Sequence, residues 1–291
     1  MPFRLFDDRK RELLFLRPPQ RVVSLVPSDT LSVIALGAGA RLVGRTRYCE
    51  PLPDVPIVGG TKDVDVEAVA RLEPDLVLAN QEENSRAQVE ELIRRQLNVY
   101  VSFPKTVAQG FAHLARLAKI LESGAELVRR GYAALAPAEL SGKRLAPRPP
   151  GRPLRAFVPI WMDPLMTIGG ETFTSDALRV AGAKNVFADR VRRYPLAADL
   201  RGQPAVDPGE RDVRYPRVTL DEVVAWAPEI VLLPDEPHPF SEQDAEVFRA
   251  LDLPAARAGK VRLCGGRDLT WYGAQSVEGI GRLRALIDSL R

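Results

Sequence analysis

One pattern of apolar and polar positions occurs twice in the chain, at Val64–Ala79 and again at Val218–Leu233. In both copies an N-cap residue, Asp65 or Thr219, precedes a short amphipathic stretch, which predicts the start of a helix. A proline then ends the helix, because the residue before a proline is disfavoured in the α region. A run of aliphatic residues follows, which is typical of a strand buried on both faces. The repeat predicts two similar lobes facing each other.

Strand and helix patterns alternate through the rest of both lobes, which predicts an α/β fold with mainly parallel sheets. Apolar residues keep helical spacing from Thr106 to Leu135, so we predict one long helix between the lobes. Ser123 and Gly124 are the point where this stretch would divide into two ordinary helices. The predicted segments are an N-terminal lobe at 1–104, a connecting helix at 105–136, a linker at 137–153 and a C-terminal lobe at 154–291.

Composition narrows the classes of partner. The net charge is only +3, with 45% hydrophobic and 27% charged residues, so neither nucleic acid nor a membrane surface is an expected partner. No segment approaches the roughly 18 apolar residues of a membrane span. The N-terminus shows no lipobox cysteine and no apolar run of about 7–15 residues, as a signal peptide requires. The chain as written is therefore expected in the cytoplasm, and in the periplasm if its N-terminus has been truncated or replaced.

Enzyme chemistry is not indicated, and we assign no catalytic residue. The chain has no nucleophile elbow, no P-loop and no dinucleotide fingerprint. Two histidines and two cysteines without metal-type spacing give no dedicated metal site and no cofactor of its own. Cys49 and His238 are the residues that a metallocofactor-handling enzyme or chaperone would use. His113 lies within the apolar spacing of the long helix, which favours a packed histidine.

Aromatic side chains on predicted loops at strand ends indicate binding of a large, partly apolar ligand in a cleft between the lobes. Trp226, by contrast, replaces Leu72 of the first copy of the repeat, which predicts a core position. Lys62 is expected to add a polar contact. The predicted ligand contacts are Tyr48, Lys62, Trp161, Tyr215, Asp268, Trp271 and Tyr272.

The order of several motifs resembles that of the class III binding proteins of ABC importers, the cobalamin and ferric-siderophore receptors also called helical-backbone metal receptors. The resemblance covers nearly the whole chain from Arg21. It rests on the segments RVVSLVPSDT, LVGRTRYCEPLP, VPIVGGTKDVDVEAVARLEPDLVLA, LMTIGGETFTSDALRVAGAKNVFAD and YPRVTLDEVVAWAPEIVLLP. It implies two α/β lobes joined by one long helix, with a metal chelate such as cobalamin, haem or a ferric siderophore between them and little hinge motion.

The resemblance also assigns roles to single residues. Tyr48 matches a position that clamps the corrin, and Tyr215 stands where a tryptophan would be. Thr61 and Asn80 replace tryptophans of the best-known cobalamin receptor, which leaves room for a different chelate. Asp268, Trp271 and Tyr272 fall in the last ligand loop of the family.

Glu67 and Asp221 occupy equivalent points of the two repeated helices. The local explanation is that an acid in the first turn of a helix favours the helix dipole. The resemblance implies instead that both acids dock onto arginines of an ABC transporter permease. A scaffold that uses only these paired carboxylates is a third hypothesis, beside the binding protein and the cofactor-handling enzyme.

Overall fold

The computed structural model describes residues 2–135, 152–200 and 202–291. This part of the chain forms two compact units. The first contains residues up to 104, then 108–135 and 272–277, and the second contains 105–107, 278–291 and the described residues between 136 and 271. Each unit is α/β with a parallel sheet, which confirms the predicted fold class. The predicted linker, 137–153, falls outside the described residues except at its last two positions.

The first unit is built on a four-stranded parallel sheet and an N-terminal two-stranded hairpin. Its strands are β1 (Phe3–Phe6), β2 (Glu12–Phe15), β3 (Val22–Ser24), β4 (Leu42–Arg45), β5 (Leu76–Asn80) and β6 (Val99–Ser102). Its helices are α1 (Pro27–Ala35), α2 (Val66–Arg71), α3 (Arg86–Arg94), α4 (Val107–Leu121) and α5 (Ala125–Ala133), with a 3₁₀ turn at Gly39–Arg41. The strand order in the parallel sheet is β4-β3-β5-β6.

The central strand β5 is buried along its whole length because apolar clusters cover both faces of the sheet. Leu76 and Leu78 point into one cluster, which also contains residues of α1, α4 and the hairpin. Val77 and Ala79 point into the other cluster, which contains residues of α2 and α3. Successive side chains of a strand point to opposite faces, so an uninterrupted apolar run supplies side chains to both clusters.

The N-terminal hairpin covers the edge of the sheet at β6. The amide of Asp8 donates to the carbonyl of Val101 at 3.0 Å, and the amide of Phe103 donates to the Asp8 carboxylate at 2.7 Å. The guanidinium of Arg11 donates to the carbonyl of Val99 at 2.6 Å. These bonds occupy polar groups that an open edge strand would leave unpaired.

The predicted connecting helix is wrong in one respect, because two helices take its place. Helix α4 ends at Leu121 and α5 begins at Ala125. Glu122 has φ +47° and Gly124 has φ +78°, both in the left-handed region that a continuous helix excludes. The break lies at the Ser123-Gly124 pair, the point at which the sequence also allowed two ordinary helices. Gly124 approaches Leu36 so closely that a Cβ atom would lie 2.9 Å from the Leu36 Cα atom.

The second unit has the same plan. Its strands are β7 (Leu154–Phe157), β8 (Pro159–Met162), β9 (Leu165–Thr167), β10 (Ala183–Asn185), β11 (Ile230–Pro234) and β12 (Val261–Cys264). Its helices are α6 (Phe173–Ala181), α7 (Leu196–Asp199), α8 (Leu220–Trp226), α9 (Glu242–Arg249), α10 (Pro254–Arg257) and α11 (Arg267–Thr270), while α12 (Ala274–Ser289) begins in the first unit. The parallel sheet has the order β10-β7-β11-β12, and β8 pairs antiparallel with β9.

The repeated pattern corresponds to α2 with β5 and to α8 with β11, as predicted. Asp65 caps α2 by accepting from the amide of Ala68, and Thr219 forms a capping box with Glu222. The core position predicted for Trp226 is wrong, since 41% of this residue is exposed. It lies at the last position of α8, and its ring is tilted against that of Phe187, with 6.0 Å between centroids.

We expect Gly124→Ala to lower the free energy of unfolding by about 3 kcal/mol, because the left-handed conformation disfavours alanine and the added methyl group meets Leu36. Gly259→Ala is the matched control, since Gly259 has φ +63° but open space around its Cβ position. Gly259→Ala should lower the free energy of unfolding by about 1 kcal/mol, because only the left-handed backbone conformation disfavours alanine at this position. Chemical denaturation measures both, and equal losses would show that the contact with Leu36 contributes nothing.

Candidate functional site

Two predicted ligand contacts of the second unit, Trp161 and Tyr215, lie on one face of a short antiparallel arrangement. Trp161 on β8 pairs with Met166 on β9, and Met166 pairs with Arg217 in a further antiparallel bridge. Directly paired residues share a face of a sheet. The amides of Thr167 and Gly169 donate to the carbonyls of Pro216 and Arg214, at 3.0 and 2.6 Å, which continues the same pairing past Tyr215. Trp161, Met166, Tyr215 and Arg217 therefore form one surface, which we call the hairpin face.

The tryptophan of the hairpin face is held in place but not buried. Trp161 is 45% exposed, and its indole nitrogen donates to the carbonyl of Asp163 at 3.0 Å. Its ring meets that of His238 edge-on, with 5.3 Å between centroids, and His238 meets Phe240 at 4.6 Å. His238 lies on the loop after β11, at the carboxyl end of the parallel sheet, where α/β proteins bind ligands.

The loop after β12, which includes the one-turn helix α11, carries Asp268 and Trp271, two more predicted contacts. Trp271 is only 9% exposed, and the Arg267 guanidinium lies 4.3 Å from the centroid of its ring. The Asp268 carboxylate forms a two-pronged ion pair with Arg282, at 2.7 and 2.8 Å. These contacts fix the shape of the loop.

Glu236 lies beside this loop and was not predicted as a site residue. Its carboxylate accepts from the Thr270 hydroxyl at 2.7 Å and is hydrogen-bonded to the Trp271 side chain. Burial raises the pKa of Glu236, because removing a carboxylate from water disfavours its charged form. The sequence places this acid in a polar run after β11, and nothing in that run distinguishes it from its neighbours.

In the first unit, Tyr48 and Lys62 lie on the loops between β4 and α2. Tyr48 is 59% exposed, with the Arg47 guanidinium 5.7 Å from the centroid of its ring. Arg47 forms a two-pronged ion pair with Asp63, at 3.0 and 2.8 Å, which joins the two loops. The Lys62 ammonium donates to the carbonyl of Glu82, which follows β5. Tyr48 and Lys62 thus stand at the carboxyl end of the first sheet.

Tyr272 is the predicted contact that the structure places elsewhere. It is only 4% exposed and belongs to the interior of the first unit. Its hydroxyl is 3.0 Å from both the Asn80 amide nitrogen and the Ser102 hydroxyl. Burial raises the pKa of Tyr272 well above its usual range. A buried ring with a bonded hydroxyl offers no stacking surface, so the predicted ligand contact of Tyr272 is not retained.

The same interior contains a histidine–carboxylate contact that the sequence did not reveal. His113 is fully buried, which confirms its prediction as a packed histidine, and its Nε2 atom lies 2.6 Å from the Asp29 carboxylate. Asp29 is also fully buried and lies in the first turn of α1. The residues are 84 positions apart in the sequence, so no local spacing signals their contact.

Neither cysteine has the environment of a reactive thiol. Cys49 and Cys264 are free, and burial raises the pKa of both thiols, that of Cys264 to about 12. The nucleophilic thiolate is therefore disfavoured at neutral pH. Within the described ranges, no group of three His, Cys, Asp or Glu residues is placed to hold a metal ion. No helix in the described part of the chain has the length and apolar character to cross a membrane.

The two predicted docking acids lie in the first turns of the equivalent helices α2 and α8. Glu67 forms an ion pair with Arg95 at 2.5 Å, and this contact lowers the pKa of the carboxyl. Asp221 is exposed. Their positions fit either the dipole explanation or the docking role.

A family model described as periplasmic binding protein matches residues 22–267. Since this span is most of the chain, the chain belongs to the periplasmic binding protein family. The resemblance found in the sequence is thereby confirmed, and so is the prediction of a binding protein rather than an enzyme. The cofactor-handling enzyme with Cys49 or His238 is not supported.

Three similar proteins illustrate the range of ligands in the family. The vitamin B12-binding protein of Photorhabdus laumondii is 26% identical over 224 residues, which cover 74% of this chain and 70% of the relative. The solved periplasmic vitamin B12-binding protein of Vibrio cholerae has a TM-score of 0.71 at 18% identity and covers 94% of this chain and 98% of its own. A periplasmic haem-binding protein from Roseiflexus sp. RS-1 has a TM-score of 0.68 at 18% identity, with coverages of 94% and 99%. At these identities the two solved structures establish the fold.

We expect the free energy of unfolding of Glu236→Gln, relative to that of the wild type, to increase as the pH rises from 4 to 7. A carboxyl whose pKa is raised by folding binds its proton more tightly in the native state, so its ionisation lowers stability as the pH rises. Glutamine keeps an acceptor for Thr270 and does not ionise. Thermal unfolding of the variant and the wild type across this pH range measures the difference.

Glu229→Gln is the control of opposite sign. Its hydrogen bond to Arg152 lowers the pKa of Glu229, so the native state favours the ionised form. This substitution should become more destabilising over the same pH range. A difference for Glu236→Gln that does not change with pH would contradict the role assigned to burial.

Proposed function

We propose that this chain binds a metal chelate, that is, a corrinoid, a haem or a ferric siderophore. The observation that carries the proposal is the hairpin face, where an exposed tryptophan, a methionine and a tyrosine are brought together at the end of a parallel sheet. Such a surface suits a large, flat ligand that is partly apolar. Tyr48 and Lys62 are proposed as contacts from the first unit.

The loop after β12 has a supporting role in this proposal. Trp271 is largely covered, and Asp268 is bonded to Arg282. We therefore propose that Asp268 and Trp271 set the shape of their loop around the ligand, with contact limited to the exposed edges of the two side chains. The names of the similar proteins, which bind vitamin B12 or haem, support the ligand class.

We further propose that the chain delivers its ligand to the permease of an ABC importer, docking through Glu67 and Asp221. The resemblance implies this role, and the matched positions of both acids on the two repeated helices support it. Two carboxylates offered by equivalent helices suit a partner with two equivalent sets of arginines. Delivery requires the chain to reach the compartment named for its solved neighbours, the periplasm.

We expect one of cobalamin, cobinamide, haem or a ferric siderophore to raise the melting temperature of the chain. A ligand at a hundredfold excess over its Kd should add about 2.7 kcal/mol to the free energy of unfolding. Trp161→Ala should then weaken binding by roughly tenfold or more, because stacking area on the hairpin face is lost. Tryptophan fluorescence titration and thermal shift measure these effects.

Trp226→Ala is the matched control for the ligand screen, since Trp226 is exposed to a similar extent, 41%, but lies at the end of α8. It should leave the Kd unchanged. Absence of binding across the panel, or equal losses in the two variants, would contradict the proposed site.

We expect the double variant Glu67→Lys/Asp221→Lys to lose binding to a reconstituted ABC importer complex whose own binding protein belongs to this family, while its affinity for the chelate is unchanged. Reversing both charges would set lysines against the arginines of the permease. Surface plasmon resonance with the complex in nanodiscs measures this. Glu242→Lys is the control, since Glu242 is also a first-turn acid paired with an arginine. Unchanged binding by the double variant would overturn the docking role.

A further inference from the structure

The side chain of Asn84 connects three segments of chain at the carboxyl end of the parallel sheet of the first unit. Asn84 is only 5% exposed. Its Nδ2 atom donates to the carbonyl of Leu25, which follows β3, at 3.1 Å and to the carbonyl of Thr61, in the loop before α2, at 3.0 Å. Its Oδ1 atom accepts from the amide of Asn80, the last residue of β5, at 2.8 Å. One buried side chain therefore joins the segments that leave β3, β4 and β5.

The hydrogen-bond partners of Asn84 require an amide and exclude the isosteric carboxylate of aspartate. Both partners of the Nδ2 atom are carbonyl oxygens, which can only accept, and the partner of the Oδ1 atom is a backbone amide, which can only donate. An ionised aspartate would set its second oxygen against two acceptors. The two carbonyls would also lose their donor, and buried polar groups without partners are costly.

Asn80 continues the same set of contacts into the loop that follows β5. Its Oδ1 atom accepts from the amide of Glu82 at 2.7 Å. Its Nδ2 atom lies 3.2 Å from the hydroxyl of Ser102, at the end of β6, and 3.0 Å from that of Tyr272. The loop after β5 is thus fixed from the interior of the first unit.

Lys62, a proposed ligand contact, is held through both asparagines. It is exposed, and it follows Thr61, whose carbonyl accepts from Asn84. Its ammonium donates to the carbonyl of Glu82, whose amide donates to Asn80. A carbonyl is neutral, so this contact positions the ammonium without cancelling its charge.

We infer that Asn84 is a positioning residue for the chelate, because it holds Lys62 where the ammonium can contact the ligand. Fixing a long, flexible side chain before binding reduces the conformational entropy that is lost when the ligand binds. Asn84 is buried and acts only through Lys62. This inference rests on the proposed function, in which Lys62 is a ligand contact.

The test is a double-mutant cycle between Asn84→Asp and Lys62→Ala, with Kd values from fluorescence titrations of cobalamin, cobinamide, haem and a ferric siderophore. In the wild type, Lys62→Ala should weaken binding by roughly tenfold, the size of a hydrogen bond to a charged group. In Asn84→Asp, where the lysine has already lost its position, Lys62→Ala should change the Kd by less than about twofold. A residue with a structural role alone would leave the full effect of Lys62→Ala in place.

Asn185→Asp is the matched control in the second unit. Asn185 is 3% exposed, its Nδ2 atom donates to the carbonyl of Ile168 at 2.8 Å, and its Oδ1 atom accepts from the amide of Phe187 at 2.9 Å. The variant therefore replaces the same kind of buried amide and should lower the melting temperature by a similar amount. It should keep the full effect of Lys62→Ala on the Kd.

The outcomes separate the inference from the proposed function. An equal effect of Lys62→Ala in the wild type and in Asn84→Asp would overturn the inference and leave chelate binding standing, and so would an unchanged Kd for Lys62→Ala in the wild type. If Asn84→Asp does not fold, Asn84→Ala takes its place in the cycle, since it removes the donors without burying an acid. If no chelate of the panel binds, the proposed function is wrong and the inference falls with it.

Discussion

Burial of the central strand on both faces is the constraint from which the rest of each unit follows. β5 and β11 have no exposed residue along their length, so neither strand can present a polar side chain except where it ends. The chain uses those ends: Asn80 closes β5, and Glu236 and His238 follow β11. Every group proposed to touch the ligand lies on a loop, on the short helix α11 or on the β8–β9 hairpin, outside the two parallel sheets.

Much of this architecture could be predicted from the sequence because it depends on local periodicity. The repeated helix–proline–strand unit is encoded by capping residues, a proline and an aliphatic run, all within a few positions of one another. The break between α4 and α5 was only an alternative, because the apolar spacing continues past it. The contact of Gly124 with Leu36, a residue distant in sequence, decides between one helix and two.

The site was less predictable because it depends on contacts between residues that are distant in sequence. Exposed aromatic residues such as Trp161 and Tyr48 could be proposed from their loops, but burial depends on tertiary neighbours. Tyr272 and Trp226 exchange their expected roles: the loop tyrosine is interior, and the helix tryptophan is exposed. The Asp29–His113 contact arises from residues joined by the fold and has no signature in a single sequence.

The composition of the first unit has a consequence for how the chain is made. Tyr272 bonds Asn80 and Ser102, and Ala274 and Val277 pack on the core of a unit whose other residues end at Leu135. The ribosome makes the chain from the N-terminus, at about 5–20 residues per second. It must therefore translate the whole second sheet before residues 272–277 are available to complete the core of the first unit. The N-terminal unit therefore reaches its final packing only when almost all of the chain has emerged, although its sequence begins first.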